Sequence, residues 1–195
     1  ASVVGPVAST GKRVFSVTVA AASADPAPSP SVTVVQALPK GDRGELAVEV
    51  LTEIGAATIV PWAASRSVAV WKGERAEKSL ARWRATAREA AKQARRTWFP
   101  QVTALASTAD VAARAAAADV AVVLHEEASA PLSAVPVPAD GEVVVIVGPE
   151  GGLSPEELAA FGEAGAVTVR LGAEVLRTST AGLAAVSALL ARTSR

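Results

Sequence analysis

The sequence predicts an α/β domain built on a mainly parallel sheet. Three observations carry this. Short Val-rich apolar runs recur along the chain and alternate with segments of helical period. The residues between them are those that start and stop helices. Two late apolar runs, 143–147 and 167–170, each end in a loop of small residues: Gly148-Pro149-Glu150-Gly151-Gly152 and the stretch from Leu171 and Gly172 to Thr178. Glycines at the carboxyl end of a buried strand let a ligand approach the backbone. Two such loops close in sequence point to one pocket at adjacent strand ends.

The elements follow in order. Residues 1–35 read as short β segments, and Arg13 to Ala20 alternates. The Pro-rich stretch 24–30 reads as a linker or boundary. Ser31 to Leu38 is the first strand of the main domain. Asp42 caps a helix to Ile54, with Leu46, Val50, Leu51 and Ile54 as its apolar face and Gly55 as its stop. Thr58 to Trp62 is the next strand. A long helix spans Glu74 to Arg96, with Leu80, Trp83, Ala87, Ala90 and Ala94 as its buried stripe. Val102 to Leu105 is a strand, Ser107 to Ala118 a helix, and Val120 to Leu124 a buried strand. A loop over 128–141 leads to the strand Glu142 to Val147. Ser154-Pro155-Glu156-Glu157 is a strong helix start. That helix ends near Gly165, and Val167 to Leu171 and Ser179 to Arg192 form the last strand and helix.

Composition removes several function classes. Half of the 195 residues are hydrophobic, which is a globular composition. No apolar run reaches the roughly 18 residues that span a bilayer. No secretory signal is visible, so the expected location is cytoplasmic. The chain contains no Met and begins at Ala1, so a longer parent polypeptide is expected. With no Cys and one His, a metal centre and thiolate chemistry are not expected. Net charge is zero, yet residues 66–96 hold ten of the nineteen Lys and Arg against three acids. A neutral protein with one basic stretch matches a local polyanion site.

The Gly148–Gly152 loop lacks the Gly-Lys-Ser/Thr of a P-loop and the spacing of a dinucleotide fingerprint. A plain turn is the bland alternative to a ligand site. Arg177 opens an Ala-rich helix, a position that suits an anionic or electron-rich group; pairing with Glu174 is the alternative. His125 ends a strand, where a structural role outweighs a catalytic one. Arg84, Arg88, Lys92 and Arg96 stand four apart, either as a solvated face or as phosphate contacts. The four Trp could stack on bases, with core packing favoured for Trp83.

Six stretches in order resemble the RsmE family of RNA methyltransferases, within the SPOUT superfamily. They are 38–43 (Leu-Pro-Lys-Gly-Asp-Arg), 52–55 (Thr-Glu-Ile-Gly), 66–68 (Arg-Ser-Val), 89–96 (Glu-Ala-Ala-Lys-Gln-Ala-Arg-Arg), 148–152 and 176–181 (Leu-Arg-Thr-Ser-Thr-Ala). The resemblance covers roughly residues 31–192. It implies a SPOUT α/β domain over 31–195 whose C-terminal segment threads a trefoil knot. Residues 1–30 would be the remnant of an N-terminal PUA-like β domain with its linker. It also implies S-adenosyl-L-methionine as cofactor, a homodimer, and methylation at N3 of one uridine in 16S rRNA of the small ribosomal subunit.

Carried over by residue, the first cofactor loop is Leu124 and His125, and the second is Gly148, Pro149, Glu150 and Gly151. The third is Leu171, Gly172, Leu176, Arg177 and Thr178. Arg177 and Glu150 are the expected catalytic groups, with Glu126 and water as rival bases. Arg43, Arg66, Arg84, Arg88, Lys92 and Arg96 are expected on RNA. The family often has Glu where Ser179 stands, and Lys where Val50 stands. Rival readings are a SPOUT enzyme on transfer RNA, a non-catalytic RNA-binding module and, more distantly, a dinucleotide oxidoreductase.

Overall fold

The computed structural model describes residues 2–193. Four short strands come first: β1 (Ser2–Val4), β2 (Val7–Thr10), β3 (Phe15–Val17) and β4 (Ala21–Ser23). They form two antiparallel ribbons, β1 with β4 and β2 with β3. Almost all their side chains are exposed, including Val4, Val7 and Phe15. Two-stranded ribbons have no second layer on which to bury a face.

The main domain contains β5 (Ser31–Ala37), α1 (Arg43–Glu53), β6 (Thr58–Trp62), α2 (Glu74–Gln93) and β7 (Gln101–Val102). It continues with α3 (Thr108–Ala117), β8 (Val120–Leu124), a 3-10 turn (Leu132–Ala134), β9 (Glu142–Val147), α4 (Pro155–Glu163), β10 (Val167–Val169) and α5 (Thr178–Leu190). Six strands make one sheet in the order β10-β8-β9-β5-β6-β7, with every pairing parallel. The expected α/β fold class is what the chain adopts.

The alternating side chains of each strand divide the core into two layers, as the pleat requires. Val32, Val34, Val143, Val145 and Val147 face α1, α2 and α5. Val35, Ala37, Val144 and Ile146 face α3 and α4, where Trp62 meets Phe161 edge-on at 5.3 Å. Both faces are covered, so the strands read as unbroken apolar runs. The small residues of α5 have a packing reason. A Cβ at Gly182 would lie 3.1 Å from Leu51 Cδ2 of α1.

Several expected boundaries shift. The long helix stops at Gln93, and Arg95 adopts a positive φ of 52° in the turn that follows. Ala94 is therefore exposed, while Ala91 joins the buried stripe. In α1 the buried residues are Gly44, Ala47, Val48, Leu51 and Thr52; Leu46 points outward. A two-layer contact with the sheet and α2 rotates the buried face away from the one the larger side chains indicated. Asp42 precedes α1 with no side-chain capping bond. Ser107 and Ser154 both form full capping boxes, with Asp110 and Glu157 as the reciprocal partners. The strand expected over 102–105 is two residues long, and the loop 128–141 contains one 3-10 turn.

Candidate active site

Four neighbouring strands, β10, β8, β9 and β5, send their carboxyl ends to one side of the sheet. The loops leaving them enclose a cleft of ≈ 500 Å³. That size suits a small ligand or cofactor. Leu124, His125 and Glu126 line it after β8, and Gly148, Pro149 and Glu150 after β9. Leu171, Gly172, Leu176, Arg177 and Thr178 line it after β10. Residues 176–178 are distant from 124 and 148 in sequence. Parallel pairing of β8 with both β9 and β10 brings them together.

Of the residues expected at a cofactor, Gly151 alone lies outside the cleft wall. Its place is explained by the neighbouring loop. A Cβ at Gly151 would fall 2.9 Å from both Cβ and the carbonyl oxygen of Arg66. Only glycine permits that approach. Arg66 Nη1 also donates to the Gly151 carbonyl at 3.4 Å. The same loop is tied down by Glu157, a buried carboxylate. Its Oε1 accepts from the Ser65 amide at 2.7 Å, and its Oε2 from the Ser154 amide at 2.9 Å. The Gly148–Gly152 loop is thus held between the start of α4 and residues 64–67.

Arg177 occupies the N-cap position of α5 in an extended conformation. Thr178 and Ala181 of the first turn also line the cleft, so the amide end of α5 opens onto it. The carbonyl of Thr178 accepts from Gln36 Nε2 at 3.3 Å, which fastens the helix start to β5. Ser179, which stands where the resemblance often has Glu, is buried with its hydroxyl unpartnered. At the mouth of the cleft, Glu150 Oε1 accepts from the Lys40 amide at 3.2 Å. The Glu127 amide donates to His125 Nδ1 at 3.2 Å. The one lone His is therefore engaged locally. Glu156, at the start of α4, has its carboxyl held below the usual range by its own amide and then by the Ser154 hydroxyl.

The residues expected on RNA separate into groups. Arg43 lines the cleft together with Lys40. Arg66 stands over the glycine loop. Arg84 and Arg88 lie along the exposed side of α2, and Arg84 Nε donates to the Val102 carbonyl at 3.1 Å. Lys92 pairs with Glu89 at 2.6 Å. Arg96 lies past the end of α2, and its Nη1 donates to the carbonyls of Thr52 and Ala56, each at 2.8 Å. It closes the end of α1. Sequence reading missed Lys40, Arg170 and Leu153 as cleft residues, whereas Glu174 lies within the loop it singled out. Lys40 and Leu153 adjoin motifs already singled out; Arg170 carried no separate signal. Among the described residues no group of three His, Cys, Asp or Glu could hold a metal ion. No helix of the described residues is long and apolar enough to cross a membrane.

A family model described as RNA methyltransferase domain matches residues 26–190. The chain belongs to the RNA methyltransferase family. It is 49% identical over 170 residues to the ribosomal RNA small subunit methyltransferase E of Mycobacterium bovis, covering 85% of this chain and 65% of that protein. The chain thus spans about two thirds of that relative's length. A Legionella pneumophila protein, solved with its cofactor SAM bound, superposes with TM-score 0.78 at 30% identity, over 84% of this chain and 66% of that one. A ribosomal RNA small subunit methyltransferase E from Neisseria gonorrhoeae, bound to S-adenosyl methionine, superposes with TM-score 0.74 at 29% identity, over 84% and 67%.

Proposed function

We propose that this chain catalyses S-adenosylmethionine-dependent methylation of N3 of a uridine in 16S rRNA of the small ribosomal subunit. The observation that carries the reading is the meeting of the two small-residue loops, the residues that follow β8 and the α5 N-terminus in one cleft. Membership of the RNA methyltransferase family and the names of its relatives support it.

The cleft fits the cofactor chemically. Val147, Leu153 and Leu171 offer an apolar surface for a purine, and the loop backbones offer amides and carbonyls. Glu126, Glu150 and Glu174 line the cleft and suit a cation. When bound, S-adenosylmethionine supplies a methyl group on a positively charged sulfur. The protein's own task is alignment and charge control.

Uracil N3 carries a proton that has to leave as the new N–C bond forms. Arg177 supplies a rigid cationic fork at the place where charge develops on a uracil carbonyl oxygen. Glu150, fixed by the Lys40 amide, is the group assigned to take the N3 proton. Because N3 is hidden in a base pair, the uridine enters the site unpaired or flipped. Arg43 and Lys40 at the cleft, Arg66 above the glycine loop, and Arg84 and Arg88 on α2 belong to the RNA-facing side of this reading.

The rest of the architecture follows the same reading. Residues 31–195 form the methyltransferase domain, and its C-terminal segment is a trefoil knot. The ribbons of residues 1–30 are the remnant of a PUA-like domain. The working form is a cytoplasmic homodimer.

The test is transfer of labelled methyl from S-adenosylmethionine to small ribosomal subunits lacking the modification, with the product nucleoside identified by mass spectrometry. The expected product is 3-methyluridine. A different methylated nucleoside would replace the substrate assignment. Absence of any product would leave an RNA-binding module.

A further inference from the structure

We propose that the groove between α2 and residues 99–102 is a second RNA site. In it one unpaired base stacks on Phe99, and Arg84 and Arg88 hold the flanking phosphates. The proposal rests on the reading of RNA as substrate and adds a place on the protein that no loop of the cleft supplies.

The groove is an open surface depression lined by Arg84, Ala85, Arg88, Phe99 and the two residues of β7. It shares no residue with the cleft. The cleft opens at the ends of β10, β8, β9 and β5, whereas β7 is the far edge strand. The two sites therefore hold different parts of one polymer.

Phe99 is 48% exposed, and its neighbour Trp98 is 42% exposed with Nε1 donating to the Asp25 carbonyl at 3.2 Å. Trp98 is anchored by that bond. Phe99 has no polar handle and leaves a flat apolar ring beside two cations. Arg84 and Arg88 are one helical turn apart, about 6 Å along the axis. The bond from Arg84 Nε to Val102 fixes that guanidinium along the groove wall. Nearby acids are engaged elsewhere: Glu89 pairs with Lys92, and Glu45 with Arg82. An apolar protein partner would strip water from Arg84 and Arg88 without neutralising them, a costly outcome. A single-stranded polyanion with π-faces satisfies the ring and both cations together.

The test uses the full chain with a short uridine-rich oligoribonucleotide carrying one 4-thiouridine. Fluorescence anisotropy reads affinity and its salt dependence; photo-crosslinking reads position. The wild type is expected to crosslink within residues 98–102. Phe99→Leu keeps an apolar side chain at an exposed position and is expected to weaken binding about 5- to 100-fold. Arg88→Gln is expected to reduce the slope of log affinity against log salt by ~0.7, the value for one single-strand phosphate. Both variants are expected to bind S-adenosylmethionine as the wild type does. Wild-type oligonucleotide affinity in both variants, or crosslinks confined to the cleft, would overturn the proposal. Loss of S-adenosylmethionine binding by the wild type would instead count against the methyltransferase reading.

Discussion

The loops at the carboxyl ends of β8, β9 and β10 and the outer side of α2 are both rich in signal, but of opposite kinds. Two of these loops are rich in small residues, and buried Glu157 and Gln36 tie them down. The outer side of α2 is cationic and water-facing. The loops derive their meaning from convergence, because residues 124, 148 and 177 line one cleft. The basic side loses its uniformity in three dimensions. Arg96 closes α1, Lys92 and Arg82 pair with acids, and Arg84 and Arg88 line a groove. A run of like charges in sequence thus divides among a helix end, ion pairs and a groove, whereas the strand-end loops share one cleft.

The sharpest break of this comparison is Arg177→Ala. It is expected to lower turnover ~100- to 1,000-fold while most S-adenosylmethionine affinity remains. Turnover measured alongside cofactor calorimetry checks it, and unchanged turnover would remove Arg177 from the chemistry. Next comes a contrast within the basic row. Arg96→Ala removes the guanidinium donor from the Thr52 and Ala56 carbonyls, of which Thr52 keeps the Gly55 amide, and is expected to cost about 1–3 kcal/mol in urea unfolding. Arg88→Gln is expected to change stability by less than about 0.5 kcal/mol. Equal costs for the two would erase the division of the row.

A smaller effect of about 1 kcal/mol is expected for Ser107→Ala, which removes the α3 cap at a residue that lines neither the cleft nor the groove. The smallest is a pH effect at the same cap. The Ser107 hydroxyl, then its amide, hold the Asp110 carboxyl below its ordinary value of 3.8. A carboxyl depressed in the folded state stabilises above its unfolded pKa, and that contribution fades as pH falls through the folded one. The stability difference between wild type and Asp110→Asn is therefore expected to shrink below about pH 4. A pH-independent difference would contradict it.

Much of the fold was legible because the strands are buried on both faces and their apolar runs have sharp edges. Thr58–Trp62, Val120–Leu124 and Glu142–Val147 match the sequence reading residue for residue. Legibility failed where tertiary contacts override local pattern. Leu46 faces water because Ala47 and Val48 meet the sheet side, and Ala94 lies beyond the helix end. The loops of the cleft were legible from their glycines. Lys40 and Arg170 were less so, since only the adjacency of β5, β9, β8 and β10 brings them to the same mouth. Glu157 was visible as a helix-start residue, but its second bond, to Ser65, spans 92 residues.

The most direct test of separate cofactor and RNA sites is calorimetric titration with S-adenosylmethionine of the wild type and Gly172→Leu. Gly172 lines the cleft, and a Cβ there meets nothing nearer than Glu174 Oε2 at 4.0 Å, so a larger side chain has room in the cleft without disturbing the core. Saturable binding of one cofactor per chain is expected in the wild type and its loss in the variant, with oligoribonucleotide affinity unchanged. Equal cofactor binding by both proteins would contradict the placement of the cofactor in this cleft.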